Sequence, residues 1–181
     1  MRKVFIACVL SLTVSSLVAQ SQGDIKLGVG LSFLGTGDML VGKLEGEVTR
    51  KWNRIFSKSL ALGIGYGDNR LYYRPTIDYH TSHQQTFTTH LDGNVFVSPF
   101  GNNGRYNFKL GTGLSLMFVA DSPWGKNDRW QEERVSLGLN MIVEQEVTVA
   151  KRYLIGLKTM IQPYLNGDIA STLLLKFGRK L

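Results

Sequence analysis

From Asp24 to the end of the chain, apolar and polar residues alternate with period two in eight separate stretches, while helical spacing is nearly absent. Alternation of this kind builds strands with two unlike faces, so the chain is restricted to an antiparallel all-β fold. Two stretches carry it most cleanly. Over 106–118 the apolar set is Tyr106, Phe108, Leu110, Leu114, Leu116 and Phe118, against Asn107, Lys109, Gly111, Gly113, Ser115 and Met117. Over 135–149 it is Val135, Leu137, Leu139, Met141, Val143, Val147 and Val149, against Ser136, Gly138, Asn140, Glu144, Glu146 and Thr148. The same spacing predicts strands at 24–34, 40–50, 58–67, 86–98, 153–163 and 169–179. Most are roughly 10 to 15 residues long, above the ~5–6 of soluble strands and suited to tilted strands that cross a bilayer in about 9–11 residues.

The composition of the polar face decides which side turns inward. It holds Gly28, Gly30, Gly63, Gly65, Gly111, Gly113, Gly138 and Gly156. Glycine weakens a water-facing strand, but on the concave wall of a small barrel it relieves crowding and permits curvature. The polar face is therefore the interior, and the apolar face meets lipid. Its charged members are Lys26, Lys43, Glu45, Glu47, Asp92, Lys109, Glu144, Glu146, Lys158 and Lys176, five of each sign. Buried charges need partners, so Lys43, Glu45, Glu47, Lys109, Glu144, Glu146 and Lys158 are a candidate lumen ion-pair network. Eight strands enclose a space just wide enough for side chains to fill, which predicts a plugged lumen; a salt-bridge rearrangement that opens a small conductance is the competing expectation.

Met1-Arg2-Lys3, the apolar stretch Val4 to Ala19 and the polar Ser21-Gln22-Gly23-Asp24 form a secretory signal, with residues 1–19 removed and 20–181 left as the barrel domain. Cys8, the single cysteine, leaves with it, so the mature domain has neither a disulfide nor a thiolate metal site. Loss of Arg2 and Lys3 lowers the net charge from +7 to 19 basic residues against 14 acidic ones. That surplus is too small to argue for nucleic acid as a partner.

Connections give an independent test, because outer-membrane barrels have short periplasmic turns and longer external loops. With a periplasmic N-terminus the external connections are 35–39, 68–85, 119–133 and 166–168, and the periplasmic ones 51–57, 99–104 and 150–152. Arg50, Lys51, Arg54, Lys58, Arg105, Lys151, Arg152, Arg179 and Lys180 gather at the periplasmic ends, and Asp38, Asp68, Asp78, Asp121, Asp128, Glu132, Glu133 and Asp168 at the external ones. Aromatic girdles are expected at both rims: Trp52, Phe56, Phe100, Tyr106, Phe108, Tyr153 and Phe177 at one, Phe33, Tyr66, Phe87, Phe118 and Tyr164 at the other. For the last hairpin, strand parity favours a bulged three-residue loop Asn166-Gly167-Asp168 that sets Ile161 opposite Leu173.

The signal segment, the eight alternating strands and a chain that ends inside the eighth resemble the small OmpA/OmpX-like outer-membrane β-barrel family over the whole mature length. The resemblance implies an eight-stranded antiparallel up-and-down transmembrane barrel in the bacterial outer membrane. It also implies membrane lipids as surroundings and the barrel assembly machinery as a partner during insertion. Ile169, Leu173, Leu175 and Phe177 keep the alternation of the family's closing strand, whereas Arg179 interrupts it and Leu181 stands where the family has a terminal aromatic.

For function, the external segments offer Arg70, Tyr72, Tyr73, Arg74, Tyr79, Trp124, Lys126, Arg129 and Trp130, aromatics beside cations of the kind that make recognition surfaces. His80 and His83, with His90 nearby, are imidazoles of metal-ligating type, yet a flexible polar loop accounts for them equally, and no metal, cofactor or catalytic residue is assigned. His80-Thr81-Ser82 is superficially similar to the His-x-Ser element of lipid A deacylase barrels, placed here in a loop. The leading expectation is a non-enzymatic barrel with an envelope-structural or surface-interaction role toward an unidentified external ligand. The alternatives are a secreted soluble barrel that carries an apolar ligand inside and a lipid-modifying barrel enzyme.

Overall fold

The computed structural model describes residues 23–35, 39–73, 80–101, 104–124 and 132–181. The expected signal segment lies outside them. Eight strands follow in chain order: β1 (Gly23–Leu34), β2 (Met39–Lys51), β3 (Phe56–Tyr73), β4 (His80–Val97), β5 (Tyr106–Trp124), β6 (Glu132–Val149), β7 (Tyr153–Pro163) and β8 (Ile169–Lys180). Each pairs antiparallel with its neighbour, and β8 closes on β1, from Asp24↔Lys180 to Leu34↔Ala170. Closure removes every edge within the wall, which is what lets a sheet sit in lipid with its backbone groups satisfied.

Parity of the sequence sets the two faces. The odd positions of β1, Ile25 through Phe33, lie outside, with Leu27 54 % exposed, while Asp24, Lys26 and Ser32 are buried inside. The same inversion runs round the barrel: Leu114, Leu139, Leu157 and Leu175 face out, and Ser115, Asn140, Lys158 and Lys176 face in. Such a continuous apolar exterior would aggregate in water and is stable against hydrocarbon.

The two ends differ. At the lower end, which also carries both termini of the barrel, the β2–β3 and β6–β7 turns are short, whereas eight residues separate β4 from β5. Asn53 Oδ1 accepts from the backbone of Ile55 and Phe56 (2.8 and 2.7 Å), which closes the β2–β3 turn. At the β6–β7 turn Ala150 (φ 48°) and Lys151 (φ 63°) both take the left-handed conformation that L residues avoid.

At the upper end the strands run on further than the alternation predicts. Segments 68–85 and 119–133, expected as loops, are largely strand: β3 and β4 stay paired to Tyr73↔His80, β4 and β5 to His83↔Trp124, and β5 and β6 to Asp121↔Glu132. Pairing of β2 to β3 ends at Gly42↔Tyr66, and the β6–β7 ladder ends at Met141↔Ile161. Strands β3 to β6 therefore project above the wall as a four-stranded sheet. This extension stands clear of the lipid belt, so no apolar alternation marks it.

The β7–β8 register also departs from expectation. Ile161 lies opposite Ser171 and Pro163 opposite Ile169, a shift of two residues from the expected Leu173 partner that keeps parity. The loop is Leu165-Asn166-Gly167: the Gly167 N–H donates to the Tyr164 carbonyl (3.0 Å), the Tyr164 N–H to the Asp168 carbonyl (2.8 Å), and Gly167 supplies φ 89°. This is a type I turn closed by a glycine bulge, the preferred three-residue hairpin.

Candidate functional site

The lumen is filled from end to end with side chains in layers. Under the upper rim, Leu34, Val41, Met117, Val119, Tyr164 and Ala170 form an apolar cap. Tyr164, assigned above to the upper girdle, belongs here and is only 5 % exposed, because it continues the inward parity of Leu154 to Gln162. Its ring lies over Gly138, where an added Cβ would sit 2.5 Å from the ring and 2.8 Å from the Pro163 carbonyl oxygen. Above the cap, a cleft of about 230 Å³ opens between Met39, Thr86, Arg134 and Asp168. Buried Asp121 accepts from two of the lining residues, Thr86 through Oγ1 (2.7 Å) and Arg134 through its guanidinium (2.6 Å).

Below the cap lies a largely uncharged network. The Tyr164 hydroxyl is 3.0 Å from Ser115 Oγ and 3.2 Å from His90 Nδ1. Gln162 Nε2 donates toward Asn140 Oδ1 (2.7 Å), Ser115 Oγ (3.1 Å) and Asp92 Oδ1 (3.1 Å), and Asn140 Nδ2 donates to Asn94 Oδ1 (2.6 Å). Period-two parity marks these residues as inward-facing, but the alternation gave no reason to join them into one network.

The charged layer gathers all seven of the candidate lumen residues and adds Lys26 and Lys176. Lys158 Nζ donates to Glu45 Oε1 (2.7 Å) and lies 3.6 Å from Glu47. Lys176 pairs with Glu47 and lies 3.8 Å from Glu45 and 3.5 Å from Glu144. Lys26 pairs with Glu146 and lies 2.9 Å from Glu144, and Lys109 lies 2.5 Å from Glu146 and 3.9 Å from Glu144. The result is an alternating chain of cations and carboxylates that crosses the barrel from β5 to β2. Lys43, 4.0 Å from Glu45, stands at its end, and among the described residues its ammonium has no hydrogen-bond partner. Phe96, Ile142 and Met160 add a second apolar cluster, with Phe96 beneath Lys109. Among the described residues, ion pairs fill the part of the interior where a ligand-carrying barrel has its cavity.

The upper segments place differently from expectation. Arg70, Tyr72 and Tyr73 lie in β3 and Trp124 in β5, within strands rather than loops, while Arg74, Tyr79, Lys126, Arg129 and Trp130 lie outside the described residues. His80-Thr81-Ser82 likewise falls in β4, where Ser82 pairs with Leu71 in the projecting sheet above the lipid-facing wall. His80, His83 and His90 share this one extended strand. At ~3.3 Å per residue the seven positions from His83 to His90 separate them by roughly 23 Å, too far to share a metal ion. His90 points into the lumen at Tyr164 instead.

No protein-family model matches the chain, and no curated protein sequence matches it. Solved structures do. A major outer membrane protein of Thermus thermophilus superposes with a TM-score of 0.61 at 11% identity, covering 88% of this chain and 98% of its own. Ail, the attachment invasion locus protein of Yersinia pestis, gives 0.58 at 11% identity, with 90% and 99% covered. OprG, an outer membrane protein of Pseudomonas aeruginosa, gives 0.57 at 10% identity, with 90% and 97% covered. The fold is thus that of the OmpA/OmpX-like eight-stranded outer-membrane barrels.

Proposed function

We propose that this chain is a non-enzymatic barrel of the bacterial outer membrane, its N-terminus periplasmic, with an envelope-structural or surface-interaction role through its upper hairpins. One observation carries the reading: a lumen closed by ion pairs and two apolar clusters lies inside a lipid-facing wall, while four strands project beyond that wall at one end only. A lumen packed in this way below the upper cleft supports the projecting surface as the part that acts. The contact surface is assigned to Arg70, Tyr72, Tyr73 and Trp124 of the projecting strands together with Arg74, Tyr79, Lys126, Arg129 and Trp130, a set of residue types that offers aromatic area and cationic groups. The partner is an external ligand or surface component.

The test is antibody access to an epitope inserted beside Lys126, on intact cells and after the envelope is opened, together with detergent extraction of the membranes. Labelling of intact cells, with the protein in the outer-membrane fraction, is the expected result. Labelling only after opening would reverse the orientation and remove the hairpins as a surface.

A further inference from the structure

The lower edge of the lipid-facing wall carries a pair of cations that the filled lumen and the upper hairpins do not use. Arg50 and Lys58 stand directly opposite one another in the β2–β3 ladder. They continue the outward parity of Leu44 on β2 and of Ile64, Leu62 and Leu60 on β3, so both lie on the face that meets lipid. Opposed residues on one face of an antiparallel pair have Cβ atoms about 4.5–5.5 Å apart, and like charges placed there repel. Among the described residues neither cation is in a salt bridge. The sequence has no carboxylate between Glu47 and Asp68 or between Asp92 and Asp121, and Asp24, Glu45 and Glu47 are buried inside the barrel. The same parity runs on to Trp52 and Phe56, both exposed. Tryptophan settles at headgroup depth, which sets the level of the pair just above it. The turn between them is fixed, since the Ile55 carbonyl accepts from the Ser98 N–H (2.7 Å) and Arg54 packs over Gly101. Toward the hydrocarbon, Gly46 stands on this face between exposed Leu27 and Leu62, with nothing within 4 Å of an added Cβ, so the wall is recessed there.

We infer that Arg50 and Lys58 together hold the phosphate of an anionic phospholipid from the leaflet at the lower end, with one acyl chain lying in the recess over Gly46. A phosphodiester between the two cations turns their repulsion into two charge-assisted contacts, the guanidinium acting as a planar fork and the ammonium as a point charge. At ~3.3 Å per residue, Gly46 lies roughly 13 Å along β2 from Arg50, within the length of an acyl chain. The next outward positions, Val48 and Leu60, are already apolar and opposite one another, which commits the site to a lipid rather than to free phosphate. The inference rests on the membrane reading above, and its test separates the two.

The full chain is first reconstituted into phosphatidylcholine vesicles and checked by heat-modifiable migration on gels. Failure to insert would overturn the membrane reading and the lipid site with it. The folded protein in detergent is then offered phosphatidylglycerol and phosphatidylcholine in equal amounts, and retained lipid is counted by native mass spectrometry. Wild type is expected to prefer phosphatidylglycerol by about tenfold or more, given the attraction each basic residue contributes near an anionic surface. R50Q/K58Q is expected to lose the preference while keeping the gel shift. K151Q/K180Q removes the same charge from the same end, at a turn and at an inward position, and is expected to keep both. Equal loss in the two variants would overturn the site in favour of diffuse rim charge, as would no preference in wild type. If the double variant does not shift on the gel, R50Q and K58Q are measured singly; each is expected to lose part of the preference, and full retention in both would overturn the site. Displacement of the lipid by millimolar inorganic phosphate would overturn the assignment to a lipid.

Discussion

Replacing Lys158 by Met tests whether the lumen charges hold the barrel together as pairs. The ammonium is fully buried, 2.7 Å from Glu45 and 3.6 Å from Glu47. Its removal leaves Glu45 with Lys176 at 3.8 Å and Lys43 at 4.0 Å, while Glu47 keeps its close pair with Lys176. Breaking one partner out of a buried pair costs about 3–5 kcal/mol, and the surviving contacts place this case near the lower figure. Lys43 supplies the contrast within the same cluster. It is as deeply buried but, among the described residues, reaches one carboxylate, at 4.0 Å, and makes no hydrogen bond, so K43M removes a desolvated charge with little pairing to lose. Its expected effect is under about 1 kcal/mol, of either sign. The assay is urea unfolding in phospholipid vesicles, followed by tryptophan fluorescence and by heat-modifiable migration. A cycle of K158M, E45Q and the double variant should return a coupling of about 2 kcal/mol. Equal costs for K158M and K43M, or additivity within about 0.5 kcal/mol, would refute pairwise pairing as the source of stability.

Four further outcomes are expected. Gly138→Ala places a methyl against Tyr164 and the Pro163 carbonyl, and should destabilise by about 1–3 kcal/mol in the same assay. Gly93→Ala, on the outer face with nothing within 4 Å of the new Cβ, should be neutral or gain about 0.5 kcal/mol. Planar-bilayer recordings of the wild-type barrel, and of E144Q and K109Q, should stay flat; stepwise openings would contradict a sealed lumen. Ala150→Gly relieves a left-handed residue that costs about 1–2 kcal/mol against a glycine entropy cost of about 0.5–1, and its unfolding midpoint should rise slightly.

Much of this barrel is legible in its sequence because lipid imposes a rule on every wall residue. Wherever the wall meets hydrocarbon, odd and even positions must differ, and all eight strands and the sorting of their faces follow from that. The projecting parts of β3 to β6 escape the rule: residues such as Asp68, Asn69, Thr81 and Ser82 pair through their backbones above the hydrocarbon. Tyr164 shows the opposite failure, since its parity pointed inward but its position near a strand end suggested a girdle. Pair identities inside the lumen are harder still. Lys26 lies across the strands from Glu47, yet its ion partners are Glu144 and Glu146, brought across the lumen by barrel closure. Stagger and curvature choose such partners, and neither is written in the alternation of a single strand.

The distribution of the lumen charges along the chain bears on how the barrel assembles. The β1–β2 hairpin brings Lys26 and Lys43 with Glu45 and Glu47, the β3–β4 hairpin only Asp92, and the β5–β6 hairpin Lys109 with Glu144 and Glu146. The β7–β8 hairpin brings Lys158 and Lys176 with no carboxylate of that layer. An open sheet on its way into the bilayer therefore carries an excess of negative charge in its earlier hairpins and an unmatched doubly positive one at its end. Docking β8 against β1 brings Lys176 to Glu47 and Lys158 to Glu45, so the last hairpin's two cations meet the first hairpin's two carboxylates in the step that seals the wall. A partly zipped intermediate lacks these cross-lumen pairs as well as leaving its edges bare.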